Sequence, residues 1–162
     1  MHTTLAYPGD STFDEEALRR QDAAEFRRLY EAFAPELGRY LARLCGDPGL
    51  AEDLLQETFV KAYRALPRTR GMLIPRPWLY RIATNAARSA ARLAYWKRVL
   101  TFGSRPPEQP DPAFPGFETR YAEADLVVRA LAAIKPAHAA PLLLHWHEGF
   151  DIDELCYILG IT

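Results

Sequence analysis

Trp78, Arg81, Asn85, Arg88 and Arg92 stand at i, i+3, i+7, i+10 and i+14, a spacing that places all five on one stripe of a helix. Each residue type suits a polyanion that carries flat bases. Arginine neutralises phosphates, and each such contact adds about one unit to the salt dependence of binding. An amide both donates and accepts, so Asn85 can discriminate base edges. The indole of Trp78 offers a face on which an unstacked base can lie. The chemistry these residues offer is recognition, with no covalent step.

The stripe belongs to a larger block of positive charge. Between Lys61 and Arg105 there are eleven Lys/Arg and no Asp or Glu, whereas residues 1–60 and 106–162 each carry a net charge of −6. The overall charge of −1 conceals this separation. A run of charge is usually a solvated helix face, but 45 residues without an acid, in a chain holding 21 of them, point to a polyanionic partner. Arg68, Arg70, Met72 and Arg76 precede the stripe in a segment bounded by Pro67 and Pro77, which the prolines and Gly71 mark as a loop.

A second group lies upstream. Asp53, Gln56, Glu57, Val60 and Arg64 share one face of a helix whose other face carries Ala51, Leu54, Leu55, Phe59, Ala62 and Leu66. Acids and amides on a ridge can pair with arginines of a partner and fix its register. Val60 is apolar for a purely solvated ridge and fits an interface. Other chemistries fare worse. His145 and His147 are two apart and point to different faces of a helix, so with Glu148 they lack metal-ligand spacing. No phosphate-binding glycine loop or nucleophile motif is present, so neither an enzyme, a metal nor a cofactor is expected. Cys45 and Cys156 are too few for a disulfide framework. No stretch approaches the ~20 apolar residues of a membrane span, and no signal peptide is visible, which suits a cytoplasmic protein.

The elements that must position these groups are helical. Phe26, Leu29, Tyr30, Phe33, Leu37, Leu41 and Leu44 draw one apolar stripe, with Pro35 expected to kink or split it and Gly46 to end it. Asp47-Pro48 reads as an N-cap followed by proline at the first position of the next helix. A third helix opens at Pro77, with Leu79, Ile82, Ala83, Ala86, Ala90 and Leu93 inward. Residues 101–119, with five prolines, read as a linker. Beyond it, 122–134 is amphipathic, a helix begins at Leu142, and Asp151 to Glu154 resembles a capping box before Leu155, Ile158 and Leu159. No strand-like alternation survives, so the fold class is all-α, with two small helical domains joined by a Pro-rich linker.

These residues carry a family resemblance. Ala51 to Tyr63 (AEDLLQETFVKAY) and Pro77 to Asn85 (PWLYRIATN) resemble the region 2 signature of bacterial ECF-type (group 4) sigma factors of the sigma-70 family. Glu148 to Leu155, with Leu159 to Thr162, is similar to the first half of their region 4 helix-turn-helix.

The resemblance implies a flexible N-terminal extension over 1–22, region 2 over 23–100, a linker over 101–119 and a partial region 4 over 120–162 that lacks the recognition helix. It implies a transcription-initiation factor that binds RNA polymerase core, recognises the promoter −10 element and promotes melting. Asp53, Gln56, Glu57, Val60 and Arg64 would bind core at the clamp coiled coil of the largest subunit, with the flap region as a further contact. Arg68, Arg70, Met72, Arg76, Trp78, Arg81, Asn85, Arg88 and Arg92 would bind promoter DNA, with Asn85 and the preceding loop lining a pocket for a flipped base. An anti-sigma factor is a further partner of the kind the family uses. Because the sequence stops at Thr162, before the helix that would enter the major groove, direct reading of a −35 element is not expected. From the residues alone, a basic single-strand binder without polymerase and a sigma-like protein-binding regulator stay open.

Overall fold

The computed structural model describes residues 13–71, 73–102 and 136–161, without the side chains of 95–102, 136 and 137. Every regular element among them is helical. In chain order these are α1 (Glu15–Arg19), α2 (Ala23–Cys45), α3 (Pro48–Ala65), a 3₁₀ turn (Leu66–Arg68), α4 (Pro75–Phe102), α5 (Pro136–Leu142), a π-helical turn (Leu143–His147) and α6 (Ile152–Leu159).

Local chemistry sets the helix ends. The Asp22 carboxylate accepts from the Ala24 and Glu25 amides, and Asp47 accepts from Gly49 and Leu50, each satisfying donors that the first turn leaves orphaned. Gly46 closes α2 in the left-handed conformation with φ 67°. The expected break at Pro35 does not occur, and α2 runs through it. Proline costs one backbone hydrogen bond there, but Phe33, Ala34 and Leu37 are buried on either side and keep the helix seated.

The core is built between α2, α3 and α4. Leu29, Phe33, Leu37, Tyr40 and Leu41 of α2 meet Leu54, Phe59 and Ala62 of α3 and Leu79, Tyr80, Ala83 and Ala86 of α4. Inside it the Tyr40 and Thr84 hydroxyls share a hydrogen bond of 2.8 Å, tying α2 to α4. The C-terminal segment belongs to the same cluster: Ala139, Ala140, Leu143, Leu144, Phe150, Ile158 and Leu159 are buried with it.

Several sequence expectations need correction. Residues 13–22 are not a flexible extension. Asp14 caps α1, Leu18 is fully buried, and the Phe13 ring lies 5.9 Å from that of Phe33. The third helix starts at Pro75 rather than Pro77, because proline is as well suited to a helix's first turn as to a loop. Leu93 and Tyr30 are exposed, and Leu142 ends a helix rather than beginning one. The expected helix over 122–134 and nearly all of the linker, from 103 on, lie outside the described residues. No described helix is long and apolar enough to cross a membrane.

Candidate nucleic-acid interface

The α3 ridge is as the sequence suggested. Asp53, Gln56, Glu57, Val60 and Arg64 are all exposed, on the face opposite buried Leu54, Thr58 and Ala62. Lys61 pairs with Glu57 one turn earlier, and solvent-facing pairs of this kind add little stability.

The loop that leads into α4 is held by α1. Arg19 donates to the Gly71 carbonyl, and the Glu15 carboxylate accepts from both Arg19 and the Leu73 amide, at 2.7 and 3.2 Å. Gly71 takes φ 77°, a conformation that side chains resist, so glycine lets the loop turn there. Arg68 and Arg70 are exposed on it. Met72 lies outside the described residues.

Along α4 the expected stripe divides. Asn85 and Arg92 are exposed. Arg81 lies 4.8 Å over the ring of Tyr157, and Arg88 donates to the Leu159 carbonyl at 3.2 Å. Trp78 is half-buried on the wall of a cavity of about 380 Å³, shared with Thr69, Arg70 and Leu73 on one side and Asp153, Glu154 and Tyr157 of α6 on the other. Three of the five stripe residues thus face α6 rather than open solvent.

Arg76 is a clearer departure. Its expected place among DNA contacts is not available in this arrangement, because the side chain is turned into the core and only 11 % exposed. Its Nε donates to Glu36 at 3.2 Å and its Nη2 to the Glu148 carbonyl at 2.9 Å. The guanidinium sits 4.3 Å from the Phe150 ring and 5.3 Å from that of Tyr80, a favourable placement of a cation over aromatic faces. Glu148 completes the cluster by accepting from the Tyr80 hydroxyl at 2.7 Å and lying 3.8 Å from Arg43. The cation offsets two carboxylates, of which Glu148 is buried and Glu36 only partly reaches water.

Titration follows this packing. Burial raises the Glu36 carboxyl above its usual range, with Arg76 pulling the other way. Burial, then the negative charge of Glu148, drives the Tyr80 hydroxyl far above its normal value, so it stays a donor. Cys45, buried and near Asp47, is pushed up to about 11. His145 offers Nδ1 to the Phe150 carbonyl at 2.9 Å.

Sequence reading missed the neighbours of the stripe, which are Tyr157, the Leu159 carbonyl and the acids of α6's first turn, and it missed Glu148 as a partner of Arg76. One signal was available. Residues 136–161 hold four acids and no Lys or Arg, while 75–102 hold six Lys/Arg and no acid, and the two segments pack together.

The helical bundle with a polar α3 ridge and a basic α4 agrees with comparisons to known proteins. The Sigma-70 region 2 family matches residues 29–97. The RNA polymerase sigma factor CarQ of Myxococcus xanthus is 34% identical over 149 residues, covering 88% of this chain and 79% of that protein. The ECF RNA polymerase sigma factor SigL of Mycobacterium tuberculosis is 32% identical over 146 residues, 87% of this chain and 80% of that protein. The RNA polymerase sigma factor YlaC of Bacillus subtilis is 27% identical over 147 residues, 88% and 83% respectively. The chain belongs to the ECF-type sigma factors of the sigma-70 family.

Proposed function

We propose that this chain is a transcription-initiation factor that joins RNA polymerase core to promoter DNA and acts by binding alone. Its α3 ridge docks on the clamp coiled coil of the largest subunit, with the flap region as a further contact. Its loop and α4 bind and hold open the −10 element. The observation that carries this reading is the division of labour between two adjacent helices: α3 exposes all five ridge residues, acids and an amide among them, while α4 is basic without one acid.

Exposed Asn85 supports a base-reading role, since its amide can donate and accept at one edge. Arg68, Arg70 and Arg92 are exposed and free of the constraints on Arg76, so they suit phosphates. Met72 is assigned to the same loop. Trp78, Arg81 and Arg88 join them once α6 is displaced. An anti-sigma factor would compete for the α3 ridge or for α4.

The test uses the full chain, bacterial core polymerase and promoter opening read by permanganate reactivity. Asp53→Ala with Gln56→Ala should lower co-elution with core by about tenfold or more, the scale of a lost interface pair or two. Asn85→Ala should leave co-elution intact and reduce opening. Equal loss of both functions in Asn85→Ala, or unchanged co-elution in the double variant, refutes the assignment.

A further inference from the structure

The loop that leads into α4 is anchored by burial at both ends, since Leu66 and Leu73 lie in the core. Its first turn is satisfied from within: the Thr69 amide and hydroxyl both donate to the Leu66 carbonyl, at 3.1 and 2.7 Å. Its second half is held from outside, by side chains 52 and 58 residues earlier in the chain. Arg19 Nη2 donates to the Gly71 carbonyl and to Glu15 Oε2, and the same carboxylate oxygen accepts from the Leu73 amide. One ion pair therefore grips the loop backbone at two points. Hydrogen bonds from ionised groups are the stronger kind.

The helix that carries this pair is itself fixed. Leu18 of α1 is fully buried. Just past it, Gln21 Nε2 donates to the Tyr63 carbonyl at 2.8 Å, and the Tyr63 hydroxyl donates back to the Gln21 carbonyl at 3.4 Å. Gln21 takes φ 60°, and among the described residues no other non-glycine lies in the left-handed region. Such backbone persists only where surrounding contacts over-determine it. The Glu15 and Arg19 side chains are about a third exposed, and a pair so exposed contributes little to stability. Its larger effect is on the path of the loop.

We infer that Glu15 and Arg19 are positioning residues for base recognition. They act through the loop backbone, setting the shape of the pocket that the loop forms with Asn85. The inference rests on the assignment of the loop and α4 to promoter DNA. Discrimination between bases needs groups held to within about 0.5 Å of the productive geometry. Phosphate contacts carry no sequence information and tolerate more displacement. Loosening the loop therefore lowers selectivity more than affinity.

The test uses the full chain assembled on bacterial core polymerase. A fluorescein-labelled single-stranded DNA pool with a randomised window is bound, and the bound fraction is sequenced to give the base preference at each position. Anisotropy of the unselected pool gives the mean affinity. Asn85→Ala identifies the position that the pocket reads. Arg19→Ala and Glu15→Ala should each flatten the preference there by about tenfold, the scale of one good base-edge contact. Mean affinity and co-elution with core should stay within about twofold of wild type. Asp47→Ala is the structural control: it uncaps α3 at the end of that helix away from the loop, and should leave the preference intact.

Full preference in both Arg19→Ala and Glu15→Ala overturns the inference, and leaves the base-reading assignment standing if Asn85→Ala still flattens it. Equal flattening in Asp47→Ala also overturns it, because the effect would then be general loosening. So does a loss of mean affinity as large as the loss of preference, since the pair would then act on binding rather than on reading. A wild-type preference that is absent, or that survives Asn85→Ala, defeats the base-reading assignment and the inference with it.

Discussion

Arg76→Ala separates the structural role of this arginine from the DNA contact its sequence position suggests. Truncation removes the Nε contact to Glu36 and the Nη2 contact to the Glu148 carbonyl, and strips a cation from between the Phe150 and Tyr80 rings. Breaking a buried pair by deleting one partner costs ~3–5 kcal/mol, most of it from the charge left behind. Glu148 is 8% exposed and has little water to relieve it, whereas Glu36 at 28% is partly relieved by water. Arg43 keeps Glu148 partly compensated. The low end, ~3 kcal/mol, is therefore expected. For a chain of this size that lowers Tm by roughly 6–12 °C. Thermal and urea unfolding followed by far-UV circular dichroism measure it, with Arg92→Ala, fully at the surface, as a control expected within ~0.5 kcal/mol of wild type. A loss below ~1 kcal/mol, or one equal to that of Arg92→Ala, refutes the reasoning. Arg76 would then be a surface cation free for phosphate.

Two predictions concern titration. Burial raises the Glu36 carboxyl, so the folded state holds that proton more tightly than the unfolded chain. Its contribution favours the fold below the unfolded value of 4.5 and is lost as pH rises through the folded one. The stability difference between wild type and Glu36→Gln should shift towards the variant over that window, and a pH-independent difference would contradict the burial argument. In a Cys156→Ser background, Cys45 should react with iodoacetamide at mildly alkaline pH on the order of 100-fold more slowly than in urea, since thiolate is the nucleophile and the folded thiol is pushed from 9.0 to about 11. Comparable rates would show Cys45 to be open. A last prediction tests a helix end: Asp22→Ala should cost ~1 kcal/mol by urea titration, because two first-turn amides lose their acceptor.

How much was legible in the chain depended on how local each feature is. The caps at Asp47 and Asp151, the end at Gly46 and the two faces of α3 follow from side chains within one turn of where they act, and all stand in the structure. Asp53, Gln56, Glu57, Val60 and Arg64 were legible as a ridge for the same reason: a helix period is enough to put them together. Pro35 was misread because a local rule that forbids proline was outweighed by buried neighbours on both sides. The extension over 1–22 was misread in part because α1 is only five residues long and is held by Leu18, Phe13 and an Asp14 cap rather than by its own period.

The sequence by itself determined an all-α fold, the charge division between α3 and α4, and the family. These depend on periodicity and composition, which the chain carries at every position. Only the tertiary structure decided what the stripe faces. Arg76 and Glu148 are 72 residues apart in the chain and Arg88 and Leu159 are 71 apart, and spacing within one helix holds no information on such pairs. Whether an arginine meets water, a phosphate or a buried carboxylate is fixed by which distant segment packs beside it and excludes solvent. Arg81 and Arg88 are a polyanion site in sequence, yet in the folded chain an acidic segment of the same molecule lies against them.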